Sequence, residues 1–226
     1  MGRSCCRGSF TSLSILLILA NARPSSAEPP VEPMPCVFVD AISAAPSAFT
    51  TLSGEARAIL GAAGVPTSWR QGRADEANKD RDNLVILLRE APGTHPPHTL
   101  GAVVAEGRAA RAAWVYAGPV AEALGLDLDS RGTWNVAEQQ AFARALGRVA
   151  AHELIHLFAP RAPHARAGLM RASLTKYDLA RGTARLDTET QRALLDGLRS
   201  ELAAPLLLSA WWPWSQSEIR DRTVFP

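Results

Sequence analysis

His152-Glu153-Leu154-Ile155-His156 stands inside the stretch ALGRVAAHELIHLF at residues 145–158, and this is where the chain declares its architecture. Phe142, Leu146, Val149, Leu154 and Leu157 recur at helical spacing, so one face of a long helix, expected over residues 137–158, is built for burial. Asn135 is placed to cap that helix, and Glu138, three residues on, completes a capping box. Pro160 ends it. On a helix, residues four apart lie one above the other, so His152 and His156 present both imidazoles to a single ion. Glu153, beside the first of them, then reaches a water on that ion rather than the ion itself. The pattern suits one zinc ion with Glu153 as general base. The opposing reading is two ordinary histidines on an amphipathic helix in a domain without metal.

A catalytic zinc site normally has three protein ligands and one open position. His164 follows His156 by eight residues, beyond Pro160 and Pro163, and a chain that doubles back there brings it to the same metal. Asp178, Asp187 or Glu189, from later helices, are the other sources of a third ligand.

Outward from this helix, the preceding half reads as strand, helix and several strands. Val37, Phe38 and Val39 form a short strand with the fold beginning near Cys36, and Phe49, Leu52, Ala56, Ile59 and Leu60 have helical spacing within residues 46–61. A second strand is expected at residues 65–69. Residues 83–89, NLVILLR, are a continuous apolar run of the kind buried on both faces of a sheet, and so the best central strand. Residues 100–105 and 112–116 read as two more strands around a turn at Gly107. A short helix at 119–126 precedes the long one, and helices at 174–180 and 188–202 follow it. The fold class is therefore α+β, with strands gathered in the first half and helices in the second.

The N-terminus reads as a separate signal. Arg3 and Arg7 precede an apolar run at residues 10–20 that is short for a membrane span, and cleavage fits after Ala22 or Ala27. An uncleaved anchor is the other reading. The expected organisation is a signal peptide at 1–27, a Pro-rich linker at 28–35, the folded domain at 36–202 and a Trp-rich extension at 203–226. Export implies a secreted or periplasmic protein with no membrane span after cleavage. Losing residues 1–27 removes Arg3, Arg7 and Arg23, so 24 basic residues become 21 against 22 acidic ones. A near-neutral chain argues against a nucleic-acid partner. Cys5 and Cys6 leave as well, and Cys36 alone builds no disulfide framework. It is read as a buried thiol, with blockade of the metal by its thiolate as the sharper alternative.

The segment 152–170, HELIHLFAPRAPHARAGLM, resembles the metzincin zinc peptidases, which carry HExxHxxGxxH and then a turn containing a methionine beneath the metal. His152, Glu153 and His156 match directly. His164 stands for the third histidine and Met170 for the turn methionine. The short step between them is most similar to the archaemetzincin branch and to uncharacterised bacterial proteins of the same layout. Two departures stand out: Ala159 replaces the glycine, and the third histidine arrives two residues late. The archaemetzincin cysteines are absent too. The resemblance implies a metzincin-like fold, a small mixed sheet over a long active-site helix with further C-terminal helices, and a zinc-dependent endopeptidase acting on a peptide or protein substrate that pairs with an edge strand, for which 100–105 is the candidate. A zinc-binding but inactive interaction or inhibitory module is the alternative. It also implies that Met170 underlies the metal, where mere core packing would serve equally, and that Tyr177 donates to an oxyanion, where a surface role is the simpler expectation.

Weaker signals remain. Residues 127–138, DLDSRGTWNVAE, have calcium-loop spacing, but Arg131 occupies a ligand position, so a turn into the capped helix is preferred. His95 and His98 read as exposed loop histidines. Trp211, Trp212 and Trp214 suit docking on the domain's own surface, or contact with a membrane, glycan or partner.

Overall fold

A computed structural model of the chain describes residues 32–43, 48–76, 82–91, 93, 95, 96, 98–104, 112–160, 162–182 and 184–203. The chain divides into two units, Met1–Pro30 and Val31–Pro226, and every described residue belongs to the second. The signal segment, the Gly107 turn and Trp211, Trp212 and Trp214 lie outside the described residues.

The elements run β1 (Met34–Asp40), α1 (Ala48–Ala62), β2 (Thr67–Gln71), β3 (Asn83–Leu88), β4 (Gly101–Val104), β5 (Ala112–Tyr116), α2 (Ala117–Leu124), α3 (Val136–Phe158), α4 (Lys176–Ala180) and α5 (Thr188–Ala203). The sheet order is β2-β1-β3-β5-β4. The pairs β1–β2, β1–β3 and β3–β5 are parallel, and β4 pairs antiparallel with β5 at one edge. Parallel neighbours need a crossover, which α1 supplies between β1 and β2. This is the small mixed sheet expected, with β3 at its centre.

β1 begins at Met34, two residues inside the segment read as linker, because Met34 N–H donates to the Pro66 carbonyl at 2.9 Å and pairs with Thr67. The expectation that β3 is buried on both faces holds fully for one face and partly for the other, where Leu84 is buried. Val85 and Leu87 join the helix-packed core, whereas Leu84 lies outside that cluster and Ile86 is only half-buried. The period-two alternation extends across the sheet, with Cys36, Phe38, Ala113 and Val115 on the core face.

α3 is the spine. From Phe142 to Phe158 nearly every side chain is buried, so the helix has protein on most of its circumference. Its N-terminus carries the full capping box: Asn135 Oδ1 accepts from Glu138 N–H at 3.0 Å and Glu138 returns the bond to Asn135 N–H at 2.8 Å. α1 crosses it so closely at Gly147 that a Cβ there would stand 2.5 Å from the Leu52 carbonyl oxygen. Arg148, almost fully buried, ties three helices: its Nε donates to Glu55 on α1 at 2.7 Å and an Nη1 proton goes to the Asp178 carbonyl on α4. No described helix is long and apolar enough to cross a membrane.

Candidate metal centre and cleft

Past Phe158 the chain leaves the helix at Ala159 and folds back in a short turn. Ala162 N–H donates to the Ala159 carbonyl at 2.8 Å, and Ala165 N–H to the Met170 carbonyl at 2.7 Å. Ala165 and Arg171 form an isolated bridge. Gly168 sits at φ 79°, and a Cβ on it would stand 2.5 Å from the Arg185 carbonyl oxygen, so both conformation and space call for glycine. This closed turn places His164 opposite the last turns of α3.

The result is a convergence of three rings. His156 Nε2 lies 3.1 Å from His152 Nε2 and 3.2 Å from His164 Nε2. Two nitrogens bound to one tetrahedral zinc at about 2.0–2.1 Å stand roughly 3.3–3.4 Å apart, close to these two spacings, and all three ligand atoms lie within 4.8 Å of one another. Three imidazole nitrogens aimed at one point have too few protons to satisfy one another as neutral rings, and a cation supplies what is missing. His152 Nδ1 stands 2.9 Å from the Leu169 carbonyl. It must be the protonated nitrogen for that bond, which leaves the Nε2 lone pair toward the centre. Among the described residues this is the one group of histidine, cysteine and acidic side chains close enough to hold a metal.

The other proposed third ligands lie outside this group. Asp178 pairs with Arg171 at 2.9 Å and caps α4 with Thr175. Asp187 accepts from Thr190 N–H at 2.7 Å and Thr190 Oγ1 at 3.1 Å, and Glu189 stands in the first turn of α5. Met170 is buried beneath the turn, where it joins the main core.

Burial governs the site's electrostatics. It pushes the His156 imidazole down to about 4, helped by the neighbouring His152 and His164, and lowers His152 against the opposing pull of the Leu169 carbonyl. The same desolvation lifts the Glu153 carboxyl to about 8. Glu153 is roofed by β4: a Cβ on Gly101 would lie 2.8 Å from Glu153 Cγ, 2.9 Å from its Oε1 and 2.7 Å from the Trp114 carbonyl oxygen. Only a glycine leaves that carboxyl its place. Tyr116, wholly buried, has a hydroxyl without a hydrogen-bond partner among the described residues, and burial with the nearby Glu153 raises it to about 12.

A cleft of about 750 Å³ opens over this centre, within the usual range for ligand sites. Its walls come from β4 and the loop before it, from α2, and from residues 171–174 after the turn. His98 lies on its rim, paired with Glu122. His95 packs against the Tyr116 ring with centroids 5.8 Å apart. Tyr177 is exposed on α4 and does not line the cleft, so the oxyanion role implied for it has no geometric basis here. The calcium-like segment holds a 3-10 helix, Leu128–Thr133, capped by Asp127, which accepts from Asp129 N–H at 3.0 Å and from Ser130 Oγ, while Asp129 pairs with Arg89. Cys36 is buried, its thiol pushed up to about 12 by desolvation and by Asp82, which makes it an inert core group rather than a metal-blocking thiolate.

Gly101 and Tyr116 are the site residues that sequence reading passed over. The glycine's only signal was its place at the start of an expected edge strand.

No family model matches this chain, and neither does any curated protein. Among solved structures it is similar to archaemetzincin from Methanopyrus kandleri, at 15% identity and a TM-score of 0.50, over 76% of this chain and 98% of that one. A zinc-dependent peptidase from Methanocorpusculum labreanum aligns at 13% identity and a TM-score of 0.47, over 70% of this chain and 98% of that one. At such identity the first likeness speaks to fold, and the fold is metzincin-like.

Proposed function

We propose that this chain is an exported zinc-dependent endopeptidase, with His152, His156 and His164 as ligands of one zinc ion and Glu153 as general base. The observation that carries the reading is the meeting of the three Nε2 atoms beside a buried carboxylate in an open cleft. The likeness to archaemetzincin supports it through the fold. A zinc ion in such a site lowers the pKa of a bound water to about 7 and polarises a carbonyl oxygen.

The chain's own residues do the rest. The Leu169 carbonyl fixes the His152 tautomer, so the ring offers its lone pair without rearrangement. Glu153 accepts a proton from the attacking water and returns it to the departing amine. Its carboxyl is held under Gly101, and the low-dielectric setting that raises its proton affinity suits a base. Among the described residues β4 is an edge strand, and its free side offers backbone groups to an extended peptide. Export rests on the N-terminal signal pattern alone.

The reading of an inactive zinc module drew on Ala159 and the late third histidine. Against it, His164 Nε2 stands 3.2 Å from His156 Nε2 although it comes two residues late. Elemental analysis of wild type, His152→Ala and His164→Ala tests the ligands: about one zinc in wild type, lost in both variants, is expected. Glu153→Gln should keep zinc and lose hydrolysis of a peptide mixture. Wild type that refuses zinc at neutral pH, or holds it without hydrolysing any peptide, overturns the peptidase.

A further inference from the structure

We propose that Glu122 sets the specificity of the cleft and selects peptides carrying a positively charged nitrogen, from a Lys or Arg side chain or from a free N-terminus. This rests on the cleft being the peptide site of the preceding reading.

The charges on the cleft wall are unequal. Glu153 is committed beside the three rings. Arg171 has its charge answered by Asp178 at 2.9 Å, and Asp178 is held well below the usual carboxylate range by Thr175, with help from Arg171 and Arg148. Glu122 has no such partner. Among the described residues its contact is His98 Nδ1 at 3.5 Å, with side chains 74% and 67% exposed for His98 and Glu122. That distance lies beyond a good charge-assisted hydrogen bond. Among the described residues the carboxylate is therefore the one strong charge in the wall left for a ligand.

Its mounting is rigid. Val120, Ala121 and Leu124 bury the opposite side of α2 in the core. Gly125, at φ 72°, closes the helix by donating to the Glu122 carbonyl at 2.8 Å. A cation is also favoured near the C-terminal end of a helix, where carbonyls point. The same lining carries the aliphatic side chains of Leu100, Pro119, Ala123, Val149 and Leu174 beside the hydroxyls of Thr99 and Ser173. A lining that joins apolar surface to a carboxylate matches a Lys or Arg side chain, whose methylene stem packs while its head pairs. An acidic peptide would have to displace His98 only to meet a like charge.

The test is equilibrium binding of fluorescent peptides to the zinc-loaded chain carrying Glu153→Gln, which holds substrate without turnover. The set compares one sequence with Lys, norleucine or Glu at a single varied position, each with a free and an acetylated N-terminus. Lys peptides, or free N-termini, should bind about tenfold more tightly than uncharged counterparts. Which arm shows it identifies the source of the charge. Adding Glu122→Gln should bring that ratio near one, and Glu122→Lys should turn the preference to the Glu peptide. No preference for charge, through equal affinities or absent binding, overturns the proposal, as does a preference that survives Glu122→Gln. A preference that obeys Glu122 in a chain whose wild type never cleaves peptides sustains this inference and sinks the peptidase alone.

Discussion

Replacing Glu153 with glutamine in the metal-free chain should change how stability depends on pH. Burial raises the Glu153 carboxyl from its ordinary value of 4.5 to about 8. The folded state then holds this proton more tightly than the unfolded state does. The associated stability is fully present below about 4.5 and is lost as pH climbs to about 8. At about 1.36 kcal/mol per pH unit the displacement amounts to on the order of 5 kcal/mol. Glutamine keeps the shape and removes the titration. Urea unfolding of both chains, stripped of metal, from pH 5 to 9 isolates the effect, because the lowered histidines are common to both. Wild type should lose ground to Glu153→Gln across that range by several kcal/mol and the difference should level off above pH 8. Adding zinc should shrink it, since a nearby dication favours the carboxylate. Parallel pH profiles for the two metal-free chains would refute the reasoning.

Gly101→Ala should keep zinc but lower kcat/KM for peptides about a hundredfold, because the new methyl displaces the Glu153 carboxyl; unchanged kinetics would remove Gly101 from the site. Met170→Ala should cost about 2–5 kcal/mol as a core truncation. If the methionine also seats the turn, zinc affinity should fall with it in a chelator competition, whereas unaltered affinity leaves it as packing alone. Arg148→Met should destabilise by about 3 kcal/mol in thermal or urea unfolding, by leaving Glu55 short of its closest cation.

Legibility followed the range of the interactions concerned. The capping box at Asn135 and Glu138, the i, i+4 histidines and the strand Ala112–Tyr116 are local or periodic, and all were readable. The third histidine was readable only as one of several candidates, because its place depends on a turn closed by Met170 and Gly168. α2 begins at Ala117, earlier than the Pro119 start expected: proline tolerates the first turn, and Gly118 N–H finds the Arg89 carbonyl at 2.8 Å. α4 begins late, at Lys176, since Thr175 and Asp178 form a capping box with aspartate where glutamate is the familiar signal. The closeness of Gly101 to Glu153 was beyond reach, because nothing local says which strand lies over α3.

The turn after α3 has a consequence for the chain as a polymer. An ion joining His156 to His164 would close a loop of eight residues, and the Ala165–Met170 bond and the Ala165–Arg171 bridge already fold the segment that follows. Loop entropy varies slowly with length and is small for so short a span. Metal capture therefore removes little freedom that the backbone has not already given up. Zinc should exchange with a chelator through local opening of this turn, without global unfolding, and amide hydrogens of α3 should stay protected while it does so.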